Sequence, residues 1–175
     1  MNYFEFYQLE PKVLLDLNVL RQKFYAKSRE LHPDQNNKLD LSENEIQYDS
    51  AFNNIAYKTL GSFETRLKYI LELESINIES QQNNPLPEDF LMEMLELHEE
   101  IIEAKHLNNI EELSKLEDSI RLVEEKNLQE ILPSITDYDS GKKVDKTLLK
   151  LQQYYYKLKY FNRLKSAIKG DSVEL

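Results

Sequence analysis

Apolar residues recur along most of this chain at spacings of three and four, the period of an amphipathic helix. Asp16 is placed to cap a helix whose stripe is Leu17, Leu20, Phe24 and Leu31, with Arg21, Lys23, Lys27 and Arg29 spread over the rest of its surface. That helix is expected to stop at His32-Pro33, because the residue before a proline is pushed out of the α region. After a polar loop at Asn36-Asn37, Ser42-x-x-Glu45 reads as a capping box. It opens a second long helix with Tyr48, Phe52, Ile55, Ala56 and Leu60 inward, ended by Gly61. A short helix carrying Leu67, Ile70 and Leu71 follows, and the polar stretch Glu79 to Pro87 reads as a linker. Beyond it the pattern predicts helices over 88–107, 110–131 and 142–168, separated by Asn108-Asn109 and by a turn region from Pro133 to Gly141. Three helices on short loops make an antiparallel bundle, with Ile110, Leu113, Leu116, Ile120 and Val123 of one helix and Val144, Leu148, Leu151, Tyr155 and Leu158 of the next facing inward.

Composition supports that reading. Three Gly and five Pro in 175 residues leave too few turn signals for a sandwich or barrel, so the fold class is all-α. With no Cys there is no disulfide framework, thiolate metal site or cysteine nucleophile. A mean hydropathy of −0.63 and a start without a basic n-region predict a cytoplasmic protein with neither membrane partner nor signal peptide.

The net charge of −10 is unevenly spread. Residues 88–131 hold 14 acids and 4 bases, net −10, whereas 142–169 hold 1 acid and 9 bases, net +8. Mutual attraction of acidic and basic helices within one domain accounts for this, an external polyanion being the alternative. An overall pI near 4.9 argues against nucleic acid as a partner.

Catalysis finds little to work with. Glu103-x-x-His106 has the helical spacing of half a di-iron site, but no second Glu-x-x-His exists, and phosphate loops, nucleophile elbows and His-Glu-x-x-His are absent from the sequence. We expect no enzyme, no resident metal and no cofactor.

Two features suggest binding instead. In His32-Pro33-Asp34 the proline fixes φ near −65° and removes a donor, presenting the flanking side chains rigidly beside a basic helix that would steer an acidic surface toward them. On the 88–107 helix, Phe90, Met94, Leu97, Ile101 and Ala104 share one face. Met92 and Leu95 fall roughly opposite among Glu96, Glu99 and Glu103, flanked by Leu91 and Ile102. One core cannot use both faces, so the second is either a protein-binding patch or the seat of the N-terminal domain.

A basic helix, His-Pro-Asp, and a helix with Asn54-x-Ala56-Tyr57-x-x-Leu60 together resemble the J-domain, and Tyr3-Phe4 is similar to its short first helix. The run Phe90-Leu91-Met92-Glu93-Met94-Leu95-Glu96-Leu97-His98-Glu99-Glu100 and the basic stretch from Lys157 to Leu164 extend the resemblance over nearly the whole chain, to the HscB family of J-domain co-chaperones of iron-sulfur cluster assembly. The resemblance implies a J-domain over 1–75, a linker over 76–87 and a client-binding three-helix bundle over 88–175. It implies two partners, a DnaK-type (HscA-like) ATPase chaperone and an iron-sulfur cluster scaffold protein (IscU-like). The chaperone would meet His32, Pro33, Asp34, Arg21, Lys23, Lys27 and Arg29; the scaffold would meet Leu91, Met92, Leu95, Glu96, Glu99, Glu103 and Tyr160. Gln35 stands where many J-domains have Lys, and Tyr160 where Phe is expected. Readings left open beside it are a J-domain protein with another client and an acidic helical adaptor unconnected with chaperones.

Overall fold

The computed structural model describes residues 1–31, 43–78 and 86–170. Among these residues the chain is all-helical: α1 (Tyr3–Phe6), α2 (Leu17–Glu30), α3 (Glu43–Gly61), α4 (Phe63–Leu73), α5 (Glu88–His106), α6 (Ile110–Asp139) and α7 (Asp145–Lys169). They divide into two compact units, Met1–Ser75 and Ile76–Leu175.

In the first unit, α1 is held by a reciprocal cap in which the Glu5 N–H donates to Asn2 Oδ1 and the Asn2 N–H to Glu5 Oε2, each at 2.9 Å. Asp16 caps α2 as the pattern predicts, accepting from the N–H groups of Asn18 and Val19. Phe4, Tyr7, Val13, Leu20, Ala56, Leu60, Leu67, Ile70 and Leu71 are buried in the core. Tyr48, expected inward, is 70% exposed, and Ile55 is exposed as well. At about 100° per residue these two lie about 80–100° from Ala56, whereas Asn53 lies only about 60° away and takes the inner place. Asn53 is buried because its polar atoms are satisfied there. The Tyr7 hydroxyl donates toward its Oδ1 at 2.7 Å, and its amide donates to Ser28 Oγ at 3.0 Å, tying α2 and α3 to the segment after α1. Burial raises the Tyr7 phenol pKa well above its ordinary value, with Tyr57 adding to the shift. Arg66 is buried too, its Nε donating to the Val13 carbonyl at 2.8 Å and its Nη1 to that of Leu60. Leu17, assigned to the α2 stripe, is exposed at the first helical position, where the helix has only begun to cover the core. The Ser42 cap and the His32-Pro33 stop lie outside the described residues.

The second unit is a three-helix bundle. Its register is antiparallel between α6 and α7, since Asn127 meets Lys157 while Glu124, earlier in α6, meets Lys165, later in α7. The α5–α6 turn shows how little chain a reversal needs. Asn108 adopts a left-handed φ of 50°, the Asn109 N–H returns to the Ala104 carbonyl at 2.8 Å, and the Asn109 side chain then caps α6 by accepting from the Glu112 N–H.

The helix expected over 110–131 runs instead to Asp139, with Pro133 inside it. A mid-helix proline costs about 3 kcal/mol. Here Ile131, Ser134, Ile135 and Tyr138 prolong the buried stripe past it, and burying large apolar side chains at roughly 1.5–3 kcal/mol each offsets the loss. Termination falls at Gly141 (φ 91°), where the N–H groups of Gly141 and Lys142 return to the carbonyls of Tyr138 and Asp137. Ile110 and Val144, expected inward, are exposed because each sits at the very end of its helix, beyond the reach of the packed neighbours.

Candidate functional site: an apolar, acid-rimmed face on α5

His32, Pro33 and Asp34 lie outside the described residues; the basic side chains that precede them are carried by α2. On α2, Arg21 and Arg29 lie within about 40° of Tyr25, and Lys23 and Lys27 lie on the other flank of the core-facing stripe. The four cations therefore form two pairs rather than one patch. Lys27 is already engaged, 2.9 Å from Glu30 and 5.6 Å from the centroid of the Phe6 ring. Arg29 Nε donates to the Tyr25 carbonyl at 3.4 Å, and Tyr25 is exposed between the two arginines. Sequence reasoning passed over Tyr25, although its i, i+4, i+8 relation to Arg21 and Arg29 was legible.

On α5 the two faces separate cleanly. Phe90, Met94, Ile101 and Ala104 are buried and Leu97 is half-buried. On the opposite side Met92 is 57% and Leu95 52% exposed, with Leu91 half-buried beside them. Glu96, Glu99 and Glu103 are exposed around this apolar line, and among the described residues no carboxylate of α5 takes part in an ion pair. Tyr160 reaches the same end of the bundle from α7. Its ring meets Phe90 edge-on at 6.0 Å, and the Arg163 guanidinium stands 5.7 Å over it.

The attraction expected between acidic and basic helices is met at a single ion pair among the described residues, Glu124 with Lys165. Lys157 goes elsewhere, donating to Asn127 Oδ1 at 2.6 Å and lying 4.9 Å from the Phe90 centroid. Burial, with the charge of Glu124 behind it, pushes the nearby Tyr154 phenol up to about 12. His106 and Glu103 are both exposed at the end of α5, and no group of three or more acidic or His side chains among the described residues is arranged to hold a metal ion. No described helix is long and apolar enough to cross a membrane.

Known proteins resemble this chain in sequence and in fold. Residues 86–169 match the family described as HSCB C-terminal oligomerisation domain. A co-chaperone protein HscB homolog of Neisseria gonorrhoeae is 30% identical over 126 residues, 71% of this chain and 75% of the relative. The mitochondrial J-type co-chaperone jac1 of Schizosaccharomyces pombe is 38% identical over 87 residues, 50% of this chain and 38% of its own. The solved structure of the chaperone HscB from Vibrio cholerae superposes with a TM-score of 0.70 at 25% identity, covering 97% of this chain and 96% of that one. The all-helical fold and these relatives together define a J-type co-chaperone. The chain belongs to the HscB family.

Proposed function

We propose that this protein is a J-type co-chaperone that delivers an iron-sulfur cluster scaffold protein to a specialised DnaK-type (HscA-like) chaperone and stimulates the chaperone's ATPase. In this reading residues 1–75 are the J-domain, 76–87 the linker, and 88–175 the bundle that carries the client. The observation that supports it most is the face of α5. Met92 and Leu95 stand open to solvent among carboxylates that have no cation partner among the described residues, a surface suited to an apolar partner with a basic rim. Family membership favours the chaperone link over an unconnected acidic adaptor. His32, Pro33 and Asp34 contact the chaperone, with Arg21, Lys23, Lys27 and Arg29 steering its approach and Tyr25 adding an aromatic contact between the arginines. Leu91, Met92, Leu95, Glu96, Glu99, Glu103 and Tyr160 hold the scaffold.

The purified protein should accelerate ATP turnover by a DnaK-type chaperone, and His32→Gln should abolish that acceleration while helicity and melting stay as in the wild type. A His32→Gln protein that stimulates fully would overturn the J-domain assignment. One that still binds the scaffold but has lost stimulation separates the two partner sites.

A further inference from the structure

The exposed apolar line of α5 does not end where the proposed scaffold contacts end. On the helical wheel Ile102 falls within about 20° of Leu91 and Leu95, and His106 within about 20° of Leu95, so the ridge continues for one more turn beyond Glu103. Ile102 is 54% and Leu107 68% exposed. Together with Glu99, Glu103 and His106 they line an open hollow of about 390 Å³. Single exposed apolar residues are ordinary, but Ile102 lies in line with Leu91 and Leu95, and with Leu107 at the helix end it faces one hollow bordered by two carboxylates without ion pairs among the described residues.

We propose that this hollow is a second anchor point for the client, taking an apolar side chain of the scaffold protein flanked by lysine or arginine. The inference rests on the reading that the outer face of α5 binds the scaffold, and it adds Ile102, His106 and Leu107 to that surface. Charge identifies the occupant. Glu99 and Glu103 border the hollow and belong to the same carboxylate row that rims Met92 and Leu95, so one basic-rimmed partner surface laid along α5 satisfies both ends. From Leu91 to His106 the helix rises about 22 Å at about 1.5 Å per residue, a length that a standard protein interface spans.

The test uses the full chain and a purified iron-sulfur scaffold protein, with binding measured by calorimetry, folding by thermal melting and self-association by sedimentation. Ile102→Asn with Leu107→Ser should weaken scaffold binding about tenfold or more, as loss of a buried apolar anchor does, with melting unchanged. Ile102→Leu should bind nearly as wild type. Met92→Ala with Leu95→Ala is run alongside. If that pair weakens binding and Ile102→Asn with Leu107→Ser does not, the second anchor is wrong and the wider reading stands. If neither does, the wider reading fails and takes the inference with it. Loss of self-association with scaffold binding intact would make a second copy of the chain the occupant and overturn the proposal. Should the double variant melt early, Ile102→Ala alone carries the same comparison.

Discussion

Helices α5 and α6 are both strongly acidic, yet they use their carboxylates in different ways. On α6, Glu111 and Glu112 lie against Lys115, Asp118 and Glu125 against Arg121, and Asp137 against Lys142 just beyond the helix, while Glu124 reaches across to Lys165. Five of its acids thus lie beside a cation of the same helix or just beyond it. Those of α5 have no such partners among the described residues, and the apolar side chains between them are left open. Composition cannot distinguish the two helices. What distinguishes a solvated face from a docking face is the spacing of cations within the same helix, three or four residues away on α6 and missing on the outer side of α5.

The widest difference should appear on truncating apolar residues on the two sides of α5. Ile101 is fully buried, and Ile101→Ala should cost about 2–5 kcal/mol in denaturant unfolding, the transfer term plus a cavity. Met92→Ala with Leu95→Ala should cost less than about 1 kcal/mol, because those groups are already half in water. Equal losses would mean that the outer face is packed in solution, and the client site would then have to be sought around Tyr160 on α7.

A smaller effect should mark the one ion pair that joins the acidic and basic helices among the described residues. The Glu124–Lys165 pair is about three-quarters and two-thirds shielded, so Glu124→Gln should cost about 1 kcal/mol, and Lys165→Gln added to it should cost little more. Additive losses from the two substitutions would show that each residue acts through other neighbours, and the charge asymmetry of the bundle would then have no direct contact to explain it.

How much of this was legible beforehand differs by level. The apolar period placed six of the seven helices, because it is a property of each segment by itself, and the two faces of α5 followed from the same arithmetic, whereas α1 was suggested only by the resemblance of Tyr3-Phe4 to a J-domain's first helix. It misled where a tertiary contact decided the outcome. Pro133 announced a helix end that Ile135 and Tyr138 overrode by burial. Asn53 took a core place that hydropathy gave to Tyr48, because only the fold brings the Tyr7 hydroxyl and Ser28 within its reach. Arg66 is buried for the same kind of reason, its guanidinium donating to the carbonyls of Val13 and Leu60, two separate segments that only the fold brings together. Charge counts located the acidic and basic stretches correctly but suggested a mutual neutralisation that α6 mostly arranges within itself.

The smallest and most discriminating change is the removal of paired against unpaired carboxylates. The hydrogen bond from Lys115, reinforced by its charge, holds the Glu111 carboxyl below its ordinary value of 4.5. A depressed value means that the pair adds stability above that pH and loses it as the pH falls through the lower, folded-state value. Glu111→Gln with Glu112→Gln should therefore lower the melting temperature slightly at neutral pH and erase that difference in acid. Glu99→Gln with Glu103→Gln breaks no ion pair seen among the described residues and relieves repulsion along α5, so melting should hold or rise slightly. Binding should move the other way. The α5 pair should slow association with the scaffold and flatten its dependence on salt, while the α6 pair leaves both as they are. If the two pairs affect association equally, the scaffold responds to net charge alone, and the outer face of α5 has no special claim on it.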